Sequence, residues 1–161
     1  MGQSDAIGLN VLTPAGEGRF ERILGVTQTY KLEPDRSGGA VSCIEVEVPA
    51  GHGIPPHRHS REDECFYVLD GSIRFEGEDC PDGAMLLSTG GFFFGPRGRV
   101  HGFSNPGPAP AKLLVVSLPG SNLTAMFAQL AQITERGLEM VDFAEVAATC
   151  GAFGIEFVGP G

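Results

Sequence analysis

The chain has 161 residues, 42% of them apolar, which fits one compact domain with a core of its own. Twenty acidic side chains against eleven basic ones give a formal net charge of -9; such an acidic surface repels phosphate backbones, so nucleic acid is excluded as a partner. No apolar run approaches the length that spans a bilayer, so no membrane segment is expected.

The amino terminus, "MGQSDAIGLNVL", has no basic patch ahead of a sustained apolar run, so no secretory signal is read there. Its Met-Gly start is no myristoylation site, because position 6 is Ala rather than Ser or Thr. The expected location is the cytoplasm. Cys43, Cys65, Cys80 and Cys150 are scattered, form no C-x-x-C pair, and read as reduced, mostly buried thiols.

With 24 Gly and 12 Pro, the chain suits many short strands joined by tight turns. Residues 1–28 read as an arm or edge strand. From "QTYKLE" onward the pattern is β. In "AVSCIEVEVPAG", Ile44, Val46 and Val48 share one face while Glu45 and Glu47 share the other. "ECFYVLDG" is an apolar strand stopped by Asp-Gly, a hairpin signal. "SIRFEGEDC" resumes the alternation, "GGFFFGPRG" and "VHGFSN" flank a Pro-Arg-Gly turn, and "AKLLVVSLPG" reads as a well-covered strand. About eight short strands at this spacing predict an all-β sandwich or barrel over residues 29–118.

Residues 119–161 change character. "SNLTAMFAQLAQITERG" predicts a helix with Ser121 or Asn122 as N-cap and Gly137 as its stop. "DFAEVAATCG" predicts a second, opened by Asp142 with Glu145 in a capping-box position. "FGIEFVGPG" reads as an extended tail. Both helices are too short to hold a core alone, so the expectation is one domain over 1–161 with helices laid on the barrel.

The chemistry concentrates at "GHGIPPHRHSREDECFYVLDG". His57 and His59 are one residue apart, so an extended strand projects both from one face. Glu64 opens an apolar strand with Phe66 and Val68 on its own face. A carboxylate there is costly unless a cation or hydrogen bonds compensate it. His101 is likewise followed at alternate positions by Phe103 and Asn105. Three imidazoles and one carboxylate suit one divalent Fe, Mn, Ni, Co, Cu or Zn ion, with coordination positions left open for chemistry.

These residues carry a family pattern. Gly51, His57, His59, Glu64 and Gly71 fit G-x5-H-x-H-x4-E-x6-G, and Gly90, Pro96, Gly98, His101 and Asn105 fit G-x5-P-x-G-x2-H-x3-N. The chain resembles a single-domain cupin, strongly over residues 30–118. "YKLE" and "GIEFVGP" make it look most like the bacterial quercetin dioxygenase-like branch. The resemblance implies an antiparallel double-stranded β-helix, or jelly roll, with His57, His59, Glu64 and His101 as metal ligands at one open end. It also points to a homodimer, which would cover exposed edge strands.

Around the ligands, Phe66 and Phe103 are expected to point into the barrel, with Phe94 and Phe92 doing likewise and Tyr30 and Lys31 passing near the site. Glu62 and Asp63 are expected to face water, Asn105 to hydrogen-bond across the barrel end, and His52 to be a solvated loop residue. The function these features favour is a metal-dependent dioxygenase. Its substrate would be an enol-bearing aromatic or polyketide-like small molecule, with Glu64 as proton acceptor. The alternatives are a non-redox cyclase, isomerase or lyase, and a metal-containing binding protein without turnover.

Overall fold

The structure, a computed structural model, describes residues 8–159. The first seven residues of the expected amino-terminal arm lie outside that range, as do the signal and myristoylation readings made on them.

Among the described residues eleven strands form two antiparallel sheets. In chain order they are β1 (Arg19–Ile23), β2 (Val26–Leu32), β3 (Ser42–Val48), β4 (Gly53–His59), β5 (Asp63–Asp70) and β6 (Ser72–Gly77), then β7 (Ala84–Ser88), β8 (Phe92–Gly95), β9 (His101–Ser104), β10 (Ala111–Leu118) and β11 (Ile155–Phe157). One sheet runs β1-β2-β3-β10-β5-β8, the other β11-β4-β9-β6-β7. From β3 onward every connection except β6–β7 crosses between the sheets, as the expected jelly roll requires. The Asp70-Gly71 signal therefore marks a corner and not a hairpin, since β5 and β6 lie in different sheets. Gly71 takes φ +77 there, a conformation that a side chain would strain.

Period-two alternation builds the interior. Along β3, Ile44, Val46 and Val48 are buried, and along β10 so are Ala111, Leu113 and Val115. With Phe66, Val68, Ile73, Phe75 and Phe103 they form one apolar cluster between the sheets. Complete burial of each large side chain contributes about 1.5–3 kcal/mol.

The carboxy-terminal segment adds helices α1 (Ser121–Thr134) and α2 (Phe143–Ala152). Leu123, Met126, Leu130 and Ile133 recur at helical spacing on the buried face of α1. They join Ile23, Val146, Cys150 and Ile155 in a second apolar cluster, and Phe127 packs against both clusters. Asp142 caps α2 as expected, its Oδ1 accepting from Ala144 N at 2.9 Å. Glu145 does not complete the capping box; it pairs with Arg136 instead. Ser121 and Asn122 are not caps either, because the N-cap position of α1 is Gly120. The expected tail is strand β11, paired with β4. No helix among the described residues is long and apolar enough to cross a membrane.

Candidate metal centre

Two neighbouring strands of one sheet supply the histidines and a strand of the other supplies the carboxylate. β4 carries His57 and His59, β9 carries His101 in register opposite His57, and β5 carries Glu64. The Pro55-Pro56 pair breaks the β4–β9 register between Ile54 and His57, which sets the aim of the two histidines. Two glycines make room. A Cβ on Gly102 would meet Ile54 O at 2.9 Å, and one on Gly95 would lie 3.0 Å from the His101 ring.

All four side chains are buried, and their ligand atoms lie within 4.8 Å of one another. His57 Nε2 is 3.0 Å from His59 Nε2, and Glu64 Oε2 is 3.1 Å from Nε2 of both His59 and His101. This spread suits one ion, whose opposite ligands sit roughly 4 Å apart at ordinary bond lengths.

The outer partners fix how the rings face. His57 Nδ1 donates to Pro55 O at 2.8 Å, so its Nε2 turns a lone pair to the cluster. Burial, helped by His59 and His101, lowers the His57 pKa to about 4 and keeps it neutral. Burial lowers His59 too, but Glu64 and Glu62 outweigh it and push that group up to about 9. Burial raises Glu64, yet His59 and His101 hold it well below the usual carboxylate range. A proton held at His59 balances the Glu64 carboxylate, and a divalent ion could take that proton's place. His57, His59, Glu64 and His101 could hold that ion.

Glu62 departs from expectation. It is fully buried, with Oε2 3.2 Å from His59 Nδ1 and Oε1 accepting from Asn122 Nδ2. Asn122 also donates to Phe153 O at 2.8 Å and accepts from Arg61 at 3.1 Å. A chain of hydrogen bonds therefore joins a candidate ligand to α1. The signal was present in the sequence, since Glu62 lies two residues from Glu64 and shares its face. Asp63 alternates to the other side and pairs with Arg97 at 2.8 Å.

A cavity of about 110 Å³ opens beside His57, His59 and Glu64. Phe66 and Phe103 line it with Val46, Ile54 and Val115 from the barrel and Leu123, Met126, Phe127 and Leu130 from α1. Phe94 and Phe92 do not; 49% and 58% exposed, they border instead a second cavity that reaches His101 from the other side of the cluster. The β5–β8 register, Glu64 opposite Gly95 and Phe66 opposite Phe93, turns Phe93 inward, where it stacks on Phe75. Tyr30 is buried but does not line this cavity, its hydroxyl donating to Glu21 at 2.8 Å under the Arg19 guanidinium. Lys31 binds the carbonyls of Pro14 and Glu17, away from the cluster, and His52 is exposed. Asn105 spans the barrel end as expected, donating to Val48 O and Ala109 O. Among the cysteines only Cys150 is fully buried, and burial pushes its thiol up to about 11.

With this geometry in place, residues 44–117 match the family described as Cupin domain. Over that stretch the chain is similar to cupins. A curated relative, germin-like protein 5-1 of Oryza sativa subsp. japonica, is 38% identical over 106 residues, which cover 62% of this chain and 46% of that protein. The chain spans about half the length, or less, of the curated germin-like relatives it matches. Two solved structures share the cupin fold at low identity. A predicted oxalate decarboxylase from Thermotoga maritima superposes with a TM-score of 0.60 at 21% identity, covering 67% of this chain and 98% of that one. An RmlC-like cupin from Shewanella frigidimarina gives 0.58 at 17% identity, covering 70% and 94%.

Proposed function

We propose that the chain is a metal-dependent cupin enzyme acting on a largely apolar small molecule that carries an enol or similar acidic hydroxyl, with quercetinase-like dioxygenation as the leading chemistry. The observation that supports it most is the buried three-histidine, one-carboxylate cluster, three of whose members, His57, His59 and Glu64, lie on the wall of a largely apolar cavity.

A divalent ion held by His57, His59, Glu64 and His101 would supply Lewis acidity, lowering the pKa of a substrate hydroxyl that reaches it. The protein does the rest. Phe66, Phe103 and the α1 side chains exclude water and receive the flat apolar body. Glu64, flanked by two imidazoles, is the base placed to accept the hydroxyl proton if its bond to the ion loosens when substrate arrives. His57, tied to Pro55 O, keeps its ring fixed while the proton moves. Among the described residues lining the cavity there is no Arg or Lys to receive a second carboxylate. This argues for an apolar enol over a small dicarboxylate such as the substrate named for the Thermotoga protein.

The decisive experiment is oxygen uptake by the metal-loaded protein with flavonols and related enols, run aerobically and anaerobically. Oxygen consumed in step with product supports dioxygenation. Product formed without oxygen assigns the non-redox cyclase, isomerase or lyase reading. Ligand binding with no turnover in either atmosphere assigns a binding protein. A Glu64→Gln variant that keeps metal and loses turnover supports the base role, and unchanged turnover removes it. Pairing of two copies is also proposed, supported by the free edge strands β1 and β8, and is read by sedimentation.

A further inference from the structure

The cavity wall contains one polar side chain that the metal cluster does not use. Gln28 sits on β2 between Val26 and Tyr30 in the inward register, and all three are buried. It is 5% exposed and lies opposite Val46, with which it shares the cavity lining. Every other lining side chain outside the cluster is apolar. A valine or leucine would continue the wall at no cost, whereas a buried carboxamide is costly unless its polar ends are paired.

Only one end of that carboxamide is engaged. Gln28 Oε1 is 3.4 Å from the Tyr30 hydroxyl, whose single proton already goes to Glu21 at 2.8 Å. The amide nitrogen has no hydrogen-bond partner among the described residues and keeps some accessible surface. A carboxamide is symmetric in shape, so exchanging its ends still leaves one polar group turned to the cavity without a partner.

We infer that Gln28 is a substrate-positioning residue, and that the ligand of this cavity bears a second polar group, a hydroxyl or carbonyl, separated by an apolar body from the group that meets the metal centre. The inference rests on the proposed metal-dependent function and deepens it by specifying the ligand class as bipolar. Gln28 accounts for orientation: an apolar body alone could turn about its metal-bound end, and one hydrogen bond from the opposite wall fixes which face meets Glu64. Discrimination follows the same logic, because an analogue lacking the second group leaves the amide unpaired.

The test uses cobalt(II)-loaded full-length protein and short ω-hydroxyalkanoates of graded chain length, each against the parent alkanoate. Cobalt absorption reports arrival at the metal, and calorimetry reports affinity. At the chain length that spans the cavity, the hydroxyl-bearing ligand should bind roughly tenfold more tightly than its parent. Gln28→Met, close in size and flexibility, should erase that preference while binding the parent at least as well. Gln28→Leu serves the same purpose if the first variant folds poorly. Equal binding of every pair by the wild type, or a preference that survives in Gln28→Met, overturns the inference. Stoichiometric cobalt with no binding of either series also overturns it and leaves the metal centre standing. Failure to take up cobalt removes the metal reading and this one together, and elemental content shows that before any ligand is added.

Discussion

The cavity has two walls of different construction. One is sheet: β2, β3, β4, β5, β9 and β10 present alternate side chains held by ladder hydrogen bonds on both sides. The other is helix: α1 and α2 lay an apolar stripe over the barrel end and touch it through side chains and a few polar links. The sheets carry all four candidate ligands, three of them on the cavity wall, while the helical wall carries only apolar bulk. Chemistry that needs fixed geometry sits on the lattice, and the cover, which a ligand must pass or displace, sits on elements joined by weaker packing.

Five substitutions probe that division. His101→Ala removes a candidate ligand from the rigid wall and should lower metal affinity by at least about 100-fold, more than losing an outer partner does; elemental analysis after dialysis measures it, and full occupancy would sink the ligand assignment. A core truncation in each wall comes next. Phe75→Ala, between the sheets and fully buried, should cost about 3–5 kcal/mol, and Leu123→Ala, equally buried under α1, about 2–5 kcal/mol. Denaturant melts give the totals. Hydrogen exchange sharpens the contrast: the helical variant should expose α1 amides while β3 and β10 stay protected, and uniform loosening would erase the distinction between walls. Glu62→Ala, which cuts the link between His59 and α1, should weaken metal binding by about 10–100-fold. Asp142→Ala removes only the α2 cap and should cost about 0.5–2 kcal/mol with metal content unchanged.

The sheet wall was far more legible in the sequence than the helical one, for physical reasons. Strand parity is rigid, so His57 with His59, and Glu64 with Phe66 and Val68, could be placed on one face from spacing alone. Phe94 fails where parity depends on partner register: nothing in "GGFFFGPRG" says that Gly95 stands opposite Glu64, which turns Phe93 inward instead. Gln28 and Glu62 were readable and missed, since each continues a buried alternation that the polar residue type disguises. β11 has three residues, too few for any period, and its place against β4 is set by tertiary contact. Asn122 looked like a cap because local chemistry favours that role, but the long-range partners Glu62 and Phe153 claim its side chain.

The pairing of β11 with β4 has a temporal consequence. Ile155 lies opposite His59 and Phe157 opposite His57, so the strand bearing two candidate ligands gains its outer neighbour from residues made more than ninety positions later. A nascent chain that has emerged through α1 already holds all four ligand side chains but leaves that flank bare. An ion bound by these side chains would therefore gain a fully enclosed seat only once β11 docks, and would stay open to competing cations until then.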